Sequence, residues 1–140
     1  MGGINVKRWI VGGVVAGLFI FIVEGVASTL YVKDMEAAMT AHNLAMAMGA
    51  GQVVLALVLS LVSGLMAAFL YAVARPRFGP GPRTAVIMGV ALFVGSYLLT
   101  FLGYRMMGLF PGAMLVLWGI ISMVEIVLAT LIAGAIYREG

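Results

Sequence analysis

The chain of 140 residues contains no cysteine and only one histidine. The first absence excludes disulfides, thiolate metal sites and cysteine nucleophiles. The second excludes a histidine-rich metal centre or a zinc-protease helix. Charge is nearly as scarce: 9% of residues are Asp, Glu, Lys or Arg, against about 25% in soluble domains. The eight basic residues are scattered, so the net charge of +3 forms no basic stripe. With no aromatic reading platform either, no nucleic-acid partner is expected. A phosphate-binding glycine loop is missing too, because Gly79-Pro80-Gly81-Pro82 has prolines where amide donors would be needed. Serines lie mostly inside apolar runs, without a positioned histidine base. These absences predict a protein that is not an enzyme and carries no cofactor.

What the sequence does hold is apolar surface. Hydrophobic residues make up 64% of the chain and the mean hydropathy is +1.20. A soluble fold of this size leaves much of its surface in water and has nowhere to hide so much. Lipid removes that difficulty. A helix needs about 20 apolar residues to cross a hydrocarbon core of about 30 Å, and four runs qualify: residues 9–32, 52–74, 84–104 and 112–137. They lack the alternation of barrel strands and are about twice too long for them. The predicted fold is all-α: a transmembrane four-helix bundle forming a single domain over residues 1–140, with a short interfacial helix in the first outer loop.

Orientation follows from the basic residues. Lys7, Arg8, Arg75, Arg77, Arg83 and Arg138 fall on one side of the predicted spans, and only Lys33 and Arg105 on the other. The positive-inside rule then places both termini in the cytoplasm. Trp9, Tyr31, Tyr71, Tyr104 and Tyr137 lie near span ends, as an aromatic belt would. Lys7-Arg8, the apolar run and Gly25-Val26-Ala27 also have the outline of a secretory signal. The apolar stretch continues to Val32, which favours an uncleaved first span.

Residues 74–83 hold three of the four prolines. Because proline fixes φ and donates no backbone hydrogen bond, the second helix is expected to stop near Arg75, with a short stiff hairpin after it. Arg75, Arg77 and Arg83 set topology there and are the candidates for lipid head groups, each adding about 1 kcal/mol of attraction to an anionic surface. In the outer loop of residues 33–48, Asp34 is the expected N-cap of the short helix. Met35, Met39, His42 and Met46 fall on one stripe at helical spacing. Thioethers with an imidazole suit Cu(I). The plainer reading is an apolar face lying on the membrane with His42 at its rim, and no metal site is expected.

Residues 71–85 (YAVARPRFGPGPRTA), with Tyr137-Arg138-Glu139 closing the chain and Trp9 and Gly12-Gly13-Val14-Val15-Ala16-Gly17 near its start, resemble an uncharacterised family of small bacterial four-helix membrane proteins. The resemblance spans nearly the full length. It implies a multi-pass protein of the bacterial inner membrane. No activity is assigned to that family, so no functional residue comes with it.

Each span carries a stripe of small or polar residues: Gly13, Gly17, Glu24 and Ser28; Ser60, Gly64, Ala67 and Tyr71; Gly89, Ser96, Thr100 and Gly103; Trp118, Ser122, Glu125 and Ala129. Small residues let helices approach closely in lipid, and hydroxyls bond across the gap. The stripes define a bundle interior and would serve equally as a dimer interface.

Glu24 and Glu125 are the most informative residues. A charge at mid-membrane costs several kcal/mol, so carboxylates there usually face a protein interior and mark a function. By helical rise Glu24 lies about 10 Å below the outer surface and Glu125 about 18 Å, near enough to meet through their side chains or one water. No lysine or arginine lies inside any span to neutralise them, so a proton or a bound cation must. Ser28, Ser122 and Thr100 are the candidate hydroxyl partners, and a rim ion pair of Glu24 with Arg105 or Lys33 is the alternative. Residues 24–30 (EGVASTL) locally resemble the first helix of small multidrug-resistance transporters, which also have four helices and an embedded glutamate. That likeness covers seven residues, and this chain adds longer loops and a second acid.

Two functions follow. One is a small proton- or cation-coupled transporter using the buried carboxylates. The other is a non-catalytic structural subunit of a larger membrane complex. Four helices rarely enclose a pathway alone, so a homo-oligomer or a larger assembly is expected, with membrane lipids as the standing partner.

Overall fold

The computed structural model of the protein describes residues 3–138; Glu139, part of the closing signature, lies outside them. Five helices account for the fold, and no strand occurs among the described residues. Helix α1 (Val6–Ala27) is extended by one 3-10 turn, Ser28–Leu30. Helix α2 (Val32–Ala41) is short. Helices α3 (Ala50–Phe78), α4 (Pro82–Met106) and α5 (Gly112–Ile136) complete the chain. Four of the five are long and apolar enough to cross a membrane. At most 33% of the apolar stretch of any span is buried by the protein itself, so the larger part of each must be met by lipid. The chain is a multi-pass helical bundle.

The long helices are arranged in the cyclic order α1, α3, α4, α5, with α5 also touching α3 across the middle. The tightest seam joins α1 to α3 and is made by glycine. A Cβ on Gly13 would stand 2.7 Å from the Leu65 Cα, and one on Gly17 would stand 2.7 Å from the Leu61 Cα. Gly64 answers from α3, where an added Cβ would come within 2.6 Å of the Gly17 Cα. Two backbones in direct contact gain dispersion attraction that no side chain could mediate. The small-residue stripes of α1 and α3 are therefore consumed inside one chain. By contrast α3 and α4, though consecutive, touch more lightly, and a cleft opens between them.

At the end carrying both termini, three chain segments are tied by tyrosines. The Asn5 amide donates to the Tyr137 hydroxyl (3.1 Å), and the Gly81 amide donates to the Tyr71 hydroxyl (3.0 Å). The two rings meet edge to face at 6.1 Å, and the Arg75 guanidinium lies 5.9 Å from the Tyr137 ring centre. Trp9 adds a bond from its indole N–H to the Leu65 carbonyl (2.9 Å). Tyr31, Tyr71 and Tyr137 are only 2%, 2% and 3% exposed. These three, expected to form part of a belt facing head groups, instead turn inward, because each hydroxyl has a partner in the protein and each ring fills core.

Three further expectations are corrected. Helix α3 does not stop near Arg75 but runs through Pro76 to Phe78. Proline there removes only one hydrogen bond, in the last turn before Gly79 ends the helix at φ +82° with its amide bonded to the Arg75 carbonyl. Helix α2 begins at Val32, so Asp34 sits in its first turn and Tyr31 occupies the capping position. Helix α4 is not uniform: Phe93–Leu98 form a π turn. One extra residue per turn rotates everything beyond it relative to the α-helical register. Ser96 and Thr100, expected to face inward with Gly89, are exposed. Phe93 and Phe101 are buried in their place.

Candidate functional site

Glu24 and Glu125 come together. Glu24 reaches the site from the last turn of α1, and Glu125 from the middle of α5. Both side chains line one small cavity together with the Trp118 ring. Two carboxylates sharing such a space with no lysine or arginine beside them repel each other, so a proton or a cation must offset their charge. The Tyr31 hydroxyl donates to Glu24 Oε1. Glu24 is thus partnered by Tyr31 rather than by a cation at the rim. Glu125 is only 4% exposed, and its Oε2 is enclosed with no hydrogen-bond partner in the protein. An uncompensated carboxylate in such a place costs several kcal/mol, and side chains that bear such a cost in a membrane usually serve a function.

The pair lines a cavity of about 190 Å³ whose walls include Ser60 and Ser63 from α3, Tyr97 from α4 and Trp118 from α5. No lysine or arginine borders it. Towards the outer loops it is roofed by aromatic rings centred on Trp118. Tyr31 stacks on that indole at 5.4 Å, Phe101 lies at 4.8 Å, and Tyr104 and Phe110 each lie at 6.3 Å. Towards the termini its lining ends at Ile20 of α1 and Ser60 of α3. Sideways it meets a larger cavity of about 420 Å³ in the cleft between α3 and α4. Leu59, Ser63, Tyr97 and Trp118 border both spaces. The Tyr97 and Ser63 hydroxyls face each other at 3.5 Å, so they stand where the acid pair would open to the bilayer.

The other candidates are distributed unevenly. Ser122 is 2% exposed and lies one turn before Glu125 on the inner face of α5. Ser28 bonds back to the Gly25 carbonyl (3.0 Å), and Thr100 to the Ser96 carbonyl (2.6 Å). Both hydroxyls are spent on their own helices. Thr100 borders the outer cleft rather than the acid cavity. Arg75 is half-buried against Tyr137, whereas Arg77 and Arg83 are exposed. Met35 and Met39 pack on the apolar core. The His42 Nε2 lies 3.1 Å from the Gly108 carbonyl oxygen, pinning the outer loop to the turn after α4. No cluster of three or more His, Cys, Asp or Glu side chains suited to a metal occurs among the described residues.

Tyr97, Ser60, Ser63 and Tyr31 complete the site, and sequence reasoning had not placed them there. The signal for Ser60 was present in the stripe of α3. Tyr97 carried none, because only the π turn brings it inward. No family model, curated protein or solved structure matches this chain.

Proposed function

We propose that the protein is a small proton- or cation-coupled transporter in which Glu24 and Glu125 form the exchange site. The observation that carries this reading is the convergence of two membrane-embedded carboxyl groups on one small cavity without a lysine or arginine beside them. Such a pair must hold either a proton or a cation, and the two compete for the same oxygens. The aromatic roof and the Tyr97–Ser63 contact support an occluded state of a carrier better than an open channel. The seam that spends Gly13, Gly17 and Gly64 inside one chain favours a self-contained bundle over an accessory subunit. The excess of basic residues on the side of the termini supports a cytoplasmic position for both ends. The loop signature of residues 71–85 supports the bacterial inner membrane.

Purified protein in liposomes containing a trapped pH-sensitive dye tests the reading. Under an imposed sodium or potassium gradient, the wild type should move protons faster than empty vesicles. The Glu24→Gln/Glu125→Gln double variant should fall to the rate of empty vesicles. Equal flux in the double variant and the wild type would remove the proposal.

A further inference from the structure

A second site lies outside the acid cavity, on the outer half of the groove between α4 and α5. Helix α4 packs closely on α5 over Pro82–Leu92 and only lightly over Leu99–Met106. The π turn separates these two parts. Between the lightly packed part and α5 lies an open apolar groove of about 460 Å³. It extends from Phe93 and Met123 at the inner end to Arg105 and Gly112 at the outer end. Its floor lies open because Gly119 and Gly112 carry no side chain. A Cβ on Gly119 would make only ordinary contact with Phe101 at 3.6 Å, and one on Gly112 would stand 3.7 Å from the Arg105 Nε.

Three features describe the occupant. The groove opens outward on the span surface, where Leu102 is 56% and Ile120 60% exposed, so what fills it comes from the bilayer. From Gly112 to Met123 the helix rises by about 16 Å, close to the half-thickness of the hydrocarbon core, about 15 Å. The one charged side chain on the lining is the exposed guanidinium of Arg105, at the end where a lipid head group would lie. We propose that this groove is a binding site for an anionic phospholipid, with one acyl chain along the Gly112–Gly119 floor and the phosphate on Arg105. A planar guanidinium matches phosphate oxygens in paired hydrogen bonds, and the acyl chain fills space that side chains leave open.

The site is separate from the Glu24–Glu125 cavity and does not depend on the transport reading. Native mass spectrometry of the full chain from mild detergent tests it, with phosphatidylglycerol and phosphatidylcholine of equal chain length as probes. The wild type should retain phosphatidylglycerol more tightly. Arg105→Gln should weaken that retention by about tenfold, the worth of one charge-assisted hydrogen bond, and leave phosphatidylcholine unchanged. Gly119→Leu, which fills the groove, should weaken both lipids. Arg105 is exposed, so its variant tests the idea even if the leucine variant fails to fold. A Lys7→Gln variant, altered at the end of the bundle that carries the termini, should bind as the wild type does. Undiminished phosphatidylglycerol retention in Arg105→Gln would overturn the proposal. So would displacement of the lipid by inorganic phosphate alone, which would make the site one for a soluble anion.

Discussion

Gly17 on the first span and Gly64 on the second touch backbone to backbone, with no room between them for a single methyl group. This contact sets the spacing of α1 and α3 and so fixes the height at which Glu24 enters the bundle. Replacing Gly64 by leucine should destabilise the protein by about 3 kcal/mol or more, since overpacking at a seam forces backbones apart. Gly25, whose added Cβ meets nothing within 4 Å, provides the control. Gly25→Ala should be neutral or slightly stabilising. Thermal unfolding in mild detergent reads both, and equal melting temperatures for the two variants would contradict the packing argument.

The Tyr97–Ser63 contact predicts accessibility. Removing the tyrosine ring joins the acid cavity to the cleft between α3 and α4. A hydrophobic carbodiimide, which modifies embedded carboxyl groups, should label Glu125 several-fold faster in Tyr97→Ala than in the wild type. Mass spectrometry of the modified peptide measures it. Unchanged labelling would mean that the route to Glu125 runs elsewhere.

Tyr31 predicts a local energetic effect. Tyr31→Phe keeps the ring stacked on Trp118 and deletes the donor to Glu24. A hydrogen bond to a carboxyl group is worth about 1.5–3 kcal/mol when the acceptor is charged and about 1 kcal/mol when neutral. The measured loss in denaturant unfolding, compared between wild-type and Glu24→Gln backgrounds, separates the two cases. An equal loss in both backgrounds would mean that the acceptor is neutral, and no loss in either would show that the bond contributes nothing.

Much of this arrangement was legible in the sequence. Four long apolar runs in a chain with 9% charged residues leave few solvents and few folds open. Helical rise alone brought Glu24 and Glu125, at about 10 Å and about 18 Å below the outer surface, within side-chain reach of one another. What escaped notice had local causes. The serine at position 28 and the threonine at position 100 looked inward by spacing, yet hydroxyls in helices readily bond their own backbone. Tyr97 lay off the predicted stripe of Gly89, Ser96, Thr100 and Gly103, because a periodic count carries no sign of an added residue in one turn. Tyr71 and Tyr137 have the composition of interfacial residues, and only the long-range partners of their hydroxyls, Gly81 and Asn5, reveal that they are core.

The outer loop gives a further prediction. Met35 and Met39 fill apolar space, so replacing both with leucine should change stability by less than about 1.5 kcal/mol. Copper(I) titration of that variant and the wild type should give the same low uptake. Clear loss of copper binding on substitution would restore the metal reading of this loop.

The wide turn at Phe93–Leu98 has a mechanical consequence. A rung in which each amide reaches five residues back is the least regular point of an otherwise continuous rod, and here it lies at the level of the acid pair. Below it the rod is clamped along its length; above it, ring-to-ring contacts with Trp118 hold it. Bending of α4 will therefore concentrate at Phe93–Leu98, carrying Tyr97 and Phe101 with it and leaving the tyrosine-tied base at rest.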